Sequence, residues 1–198
     1  MRRLTIPGAT AILLMTGSTV FAHPQSFAHS HASGFDAGLY HPLLGIDHLL
    51  AMVAVGLLAA RAGGRAIWLV PGAFLACMVV GGIVGMSGAE FWGVETAIAV
   101  SVVLLGAALA ASRNLPLGLM LAACGLFGFF HGHAHGAEMP AIAQPALYAA
   151  GFVLATAALH ALGVAIGRFS IKTAARQSKL RFSGAAIAVA GLAFLVWS

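Results

Sequence analysis

Six apolar stretches succeed one another along this chain, at residues 38–60, 66–86, 93–111, 115–131, 145–167 and 182–198. Each is close to the length a helix needs to cross a hydrocarbon layer roughly 30 Å thick, about 17–25 residues. Only 8% of the residues are charged and 61% are hydrophobic, against roughly 25% charged in soluble domains, so a solvent-facing surface cannot be built. The sequence therefore predicts an all-α, polytopic membrane protein with short connections and one six-helix transmembrane domain over 38–198. Glycines recur at close-approach spacing in "GGIVGMSG" (Gly81, Gly82, Gly85, Gly88) and "GLFGFFHG" (Gly125, Gly128, Gly132), as they do where helix backbones touch in lipid. Cys77 and Cys124 stand singly in different spans and read as small core residues; Trp68, Trp92 and Trp197 lie near expected interfaces and read as anchors.

Ahead of these spans, Arg2 and Arg3 precede an apolar run over 11–20 and then "VFAHP". This three-part pattern predicts a signal peptide over 1–22, cut after Ala22, with an uncleaved first helix as the rival reading. A histidine-containing periplasmic segment, 23–37, would follow. Basic residues test the topology independently, because Lys and Arg collect in cytoplasmic loops. Arg61 and Arg65 follow the first span, Arg113 the third, and Arg168, Lys172, Arg176, Lys179 and Arg181 the fifth. With Arg2 and Arg3 they make up all ten basic residues, and all fall on one side. Asp36, Asp47, Glu90, Glu95 and Glu138, the five acids, fall on the other side or in the outer part of a span. Both mature termini are thus expected in the periplasm. The formal charge of +5 describes orientation and contact with anionic lipid; it calls for no nucleic-acid partner.

The nine histidines carry the chemistry, and none falls in a cytoplasmic loop of this topology. In "HPLLGIDH" His41 and His48 are seven apart, which puts them on one face of a continuous helix, with Asp47 about 100° round from His48. Pro42 and Gly45 loosen these turns and allow a break that swings Asp47 toward the imidazoles. In "FFHGHAHGAEMP" His131 and His135 are four apart on one helical face, Glu138 follows, and His133 points elsewhere. The first span begins and the fourth ends on the same side, so the two clusters can converge. A carboxylate in hydrocarbon demands a partner, and imidazole with carboxylate suits borderline divalent metals such as nickel, cobalt, copper or zinc. His41, Asp47, His48, His131, His135 and Glu138 are the candidate ligands. His23, His29, His31, His133 and His160 are candidate secondary contacts, with His160 the next stop toward the cytoplasm.

The two motifs together resemble the signature of the HupE/UreJ family of bacterial nickel and cobalt permeases, over essentially the whole mature chain. The resemblance implies import of nickel, or of cobalt, across the inner membrane for hydrogenase or urease maturation, rather than an enzyme. It also implies the same six ligands. No nucleotide-binding motif or ATPase partner is evident, and the oligomeric state is open. Movement of spans one to three against four to six would provide alternating access. Two other readings stay open at this stage: a membrane metallohydrolase with Glu138 as base, and a haem-binding electron carrier with paired histidines.

Overall fold

The computed structural model describes residues 34–111, 115–141 and 143–197. The proposed leader, His23, His29, His31 and Arg113 lie outside them. In chain order the elements are α1 (Gly34–Leu44), α2 (Ile46–Ala62), α3 (Ala66–Met86), α4 (Val94–Ala111), α5 (Leu117–Ala137), α6 (Pro145–Ser170) and α7 (Ala174–Trp197). Among the described residues all regular structure is helical. Five helices are long and apolar enough to cross a membrane; α1 and α2, bent by 82° at their break, reach that length and apolarity only as a pair, which counted as one span makes a sixth.

Three boundaries differ from the sequence expectation, each for a physical reason. The first span is not one helix. It breaks at Gly45, whose extended backbone (φ −88°, ψ 113°) starts α2 afresh. Glycine is a poor helix former, and the new first turn gains Asp47, whose carboxylate accepts the His48 backbone N–H at 2.8 Å. The fourth span runs on to Ala137, so His131, His133 and His135 are all helical, with His135 in the last turn. The last helix begins at Ala174, well before residue 182, so Arg176, Lys179 and Arg181 are helical and not in a loop. Ala, Arg, Gln and Lys favour helix, and an apolar-run criterion stops at their charges.

The closest packing pairs α3 with α5, α4 with α7, and both α1 and α2 with α6. Every one of these pairs joins a helix of the first half to one of the second. Movement of the first three spans as a body against the last three would have to slide or part all of these seams. Glycines set these crossings from both sides. A Cβ on Gly132 would fall on the Met78 carbonyl oxygen, and one on Gly85 on that of His133. Gly56 likewise meets the His160 carbonyl, and Gly163 the Val53 carbonyl. Gly88 is an exception to the packing expectation: it turns the chain after α3 at φ +78° with open space around it.

Aliphatic and aromatic side chains fill the centre, among them Met52, Val55, Val70, Phe74, Val102 and Leu109. Large apolar residues also cover the outside, including Ile83, Leu104, Leu154 and Val189, as lipid requires. Trp68, Trp92 and Trp197 are exposed. At the basic end, Arg61 donates to the Leu109 carbonyl at 2.9 Å and Arg181 to that of Ala110 at 3.2 Å. Two arginines thereby satisfy the C-terminal carbonyls of α4, where positive charge is favoured.

Candidate metal centre

At the end of the bundle opposite those arginines, α1, α2, α5 and α6 bring four imidazoles into sequential contact. His41 on α1 meets His135 on α5 with ring centroids 4.6 Å apart. His135 meets His48 on α2 at 4.1 Å, and His48 meets His131, one turn further along α5, at 4.8 Å. Burial deepens along this ladder. Side-chain exposure falls from 35% at Glu138 and 17% at His41 to 3% at His135 and His48, and His131 is fully buried. The break at Gly45 creates this convergence. His41 and His48 share no continuous helical face, contrary to the spacing argument; they approach His135 from two helices set at a steep angle.

The rim and the interior differ in donor chemistry. At the rim, His41 Nε2 donates to Glu138 Oε2 at 3.2 Å, and His135 Nδ1 lies 3.8 Å from the same oxygen. One ligand atom from each of His41, His135 and Glu138 can be chosen so that all lie within 4.8 Å of one another. Two ligands about 2.1 Å from a tetrahedral ion sit roughly 3.4 Å apart, so a small contraction would close these three around a cation. Phe152 packs on His135 at 4.2 Å, and the Tyr148 hydroxyl donates to the His135 carbonyl at 3.3 Å. Both hold this rung from α6.

Further in, hydrogen bonds decide which nitrogen each imidazole presents. Asp47 Oδ1 lies 2.8 Å from His48 Nδ1. An ionised carboxylate only accepts, so Nδ1 carries the proton and Nε2 keeps a lone pair. That Nε2 is buried and has no hydrogen-bond partner among the described residues. Asp47 therefore faces His48 as an orienting carboxylate, the arrangement that commonly supports histidine ligands.

His131 is set in the same manner by Ser101 on α4, a residue the sequence reading did not single out. Ser101 Oγ is 2.7 Å from the Ile98 carbonyl oxygen and 3.0 Å from His131 Nε2. Two oxygens at the shorter distance need a proton between them, so the hydroxyl donates to Ile98 and accepts from His131 Nε2–H. His131 Nδ1 is left as a buried lone pair, again without a partner among the described residues. The available signal was a single serine in the apolar middle of the span, beyond Glu95 and Thr96 near its start.

The other candidates part company with the ladder. His133 points away, as expected: its Nε2 donates to the Ala89 carbonyl at 2.7 Å and its ring packs on Phe91, so it clamps the α3–α4 connection. His160 lies deeper on α6 and touches Phe74, not the ladder's imidazoles, at 5.1 Å. Cys77 and Cys124 are free thiols on separate helices.

Comparison with known proteins identifies the family. Residues 11–194 match the family described as "HupE / UreJ protein". The chain is 43% identical over 175 residues to Protein HupE of Rhizobium leguminosarum bv. viciae, covering 86% of this chain and 91% of that relative. No solved structure matches. Built of apolar spans and matched across nearly its whole length, this chain is a multi-pass inner-membrane protein that belongs to the HupE/UreJ family.

Proposed function

We propose that the chain is a permease that brings nickel, with cobalt as the second candidate, across the inner membrane for the maturation of hydrogenase or urease. The observation that carries this reading is the continuous run of imidazoles from a half-exposed carboxylate rim into the core of the bundle. Neutral imidazole with one or two carboxylates suits borderline divalent ions. The positive-inside rule puts the arginine end in the cytoplasm and the histidine funnel in the periplasm. A hydrated ion would lose water first to Glu138, His41 and His135, then pass to His48 and His131. The membrane potential favours inward movement of a doubly charged ion by about 4.6 kcal/mol per 100 mV, so no nucleotide is needed.

Uptake of radioactive nickel into proteoliposomes holding the purified chain tests this, with cobalt and zinc as competitors. Time-dependent, potential-driven accumulation is expected, and none beyond empty liposomes would refute transport. Lowering the external pH from about 7.5 toward 5 should raise KM, because a protonated imidazole has no lone pair to give. The sign follows from competition: each ligand position that takes a proton must lose it before the metal binds. A KM flat across that range would exclude a histidine path.

Ser101 supplies a sharper check on the ladder. Ser101→Ala removes the acceptor for His131 Nε2–H and frees the ring to rotate or change tautomer. Loss of such a supporting partner should weaken nickel binding by roughly 10–100-fold. Ser101→Thr, which retains the hydroxyl, should bind far better than the alanine variant. Equal affinities for alanine and wild type, by equilibrium binding to purified protein, would show that Ser101 is packing alone.

A further inference from the structure

Past His131 the imidazoles stop touching one another, and a phenylalanine intervenes. Phe74 of α3 is fully buried. Its ring lies 5.5 Å from that of His131, at 55°, and 5.1 Å from that of His160, at 88°. Its backbone is closely packed: a Cβ on Gly128 of α5 would fall on the Phe74 carbonyl oxygen.

Below that ring lies a small group of polar atoms with nothing to bond. Both nitrogens of His160 and the hydroxyl oxygen of Thr156 are buried and lack hydrogen-bond partners among the described residues. His160 is 2% exposed and Thr156 is 0% exposed. They stand four apart on α6, one turn of one face. That face also carries Phe152 and Tyr148, which pack around the rim imidazoles. A threonine inside a helix ordinarily returns its hydroxyl to the carbonyl a turn earlier, and Thr156 does not. Native interiors leave few such atoms unpaired, and unpaired ones call for an explanation.

We propose that His160 and Thr156 form a second, inner station for the divalent cation, and that the Phe74 ring is the barrier separating it from the histidine ladder. This rests on the transport reading. The donor chemistry fits a place of passage. Carboxylates serve only the ladder, Glu138 at the rim, where it can capture an ion that is still partly hydrated, and Asp47 behind His48. The inner pair offers one neutral nitrogen and one neutral oxygen, a weak set that can accept an ion and let it go. Phe74 has no lone pair with which to replace a metal ligand, so its ring separates the two sets of ligating atoms; swinging the ring aside would couple departure from His131 to arrival at His160. Residues inward of His160 on α6 include Gly163 and Gly167, which lie against α2, and the basic end follows.

The test separates binding from movement, with nickel alone as the probe and the full chain in detergent and in proteoliposomes. His160→Leu keeps most of the volume and removes both nitrogens; Thr156→Val keeps the shape and removes only the hydroxyl. Both variants should bind nickel at the outer group within about threefold of wild type, since the ladder is intact. Uptake should fall at least tenfold for His160→Leu and several-fold for Thr156→Val, through kcat with KM held. Phe74→Leu, which narrows the obstruction, should raise the uptake rate in the wild-type background and not in His160→Leu. Wild-type uptake rates in both His160→Leu and Thr156→Val would overturn the inner station and leave the pair holding water or packing only. An unaltered rate in Phe74→Leu would remove the barrier. If His160→Leu fails to insert, Thr156→Val decides by itself. Failure of the wild type to accumulate nickel or cobalt would instead defeat the transport reading on which this stands.

Discussion

Replacing His48 by alanine is expected to lower nickel uptake by about 100-fold or more while the chain still inserts and folds. Even the loss of a partner that merely supports a ligand weakens metal affinity by roughly 10–100-fold, and His48 is the rung on which the ladder depends. Its ring touches both His135 and His131, so its removal parts the rim from the interior. Folding should survive for two reasons. Asp47 loses the imidazole but keeps its bond to the backbone N–H of residue 48, and its carboxylate is still 21% exposed to water. The surrounding α2–α6 contact is set further along, by Gly56 and Gly163. Uptake into proteoliposomes and equilibrium binding to the purified variant measure the effect together. His133→Ala is the matched control: it removes a neighbouring histidine whose bond is to the Ala89 carbonyl, and it should leave metal affinity within a few-fold of wild type. Equal losses in both variants would mean that histidines in this region act through packing and not through ligation.

The same residues show how far the sequence could be read. Six spans, their alternation and the common side of both motifs follow from the lengths of apolar runs and the placement of charge, which are local properties. His131 and His135 on one face of α5, with His133 turned away, follow from helical periodicity and hold in the structure. The relation of His41 to His48 was readable only in half. Pro42 and Gly45 mark a weak point, but an 82° bend depends on what α1 can pack against, and its partner is Gly151 on α6, some hundred positions away. Spacing gave no access to Ser101, Phe74 or Thr156, because their importance lies in which side chain from another helix they meet. The pairing of α3 with α5 and of α4 with α7 was equally hidden: glycine spacing marks a face for close approach without naming the face that answers it.

Gly132→Val should unmake the site without touching any candidate ligand. Gly132 sits between His131 and His133, on the side of α5 that α3 covers, and a Cβ there would fall on the Met78 carbonyl oxygen. That obstacle is backbone, so no rotamer change can relieve it. The same seam is tight at four further points, where Gly81 meets the Phe129 carbonyl, Gly85 that of His133, Gly128 that of Phe74, and Gly136 that of Gly82. The two helices cannot pivot around a local bump; they must separate. Overpacking of a close interior costs about 1–3 kcal/mol and occasionally more, and in lipid no hydrophobic force pulls separated helices back. The predicted loss is at least about 3 kcal/mol, seen as a lower melting temperature in detergent. Nickel binding should fall with it, because His131 and His135 ride on α5 while His48 stays on α2, and displacing α5 opens the 4.1 and 4.8 Å contacts between them. Gly118→Ala supplies the contrast on the same helix. Nothing lies within 4 Å of a Cβ at that position, and alanine favours helix over glycine by up to about 1 kcal/mol, so this variant should be neutral or slightly more stable. Should Gly132→Val melt and bind nickel as Gly118→Ala does, the glycine seam would not be what holds the imidazoles in register, and the histidine ladder would need another support.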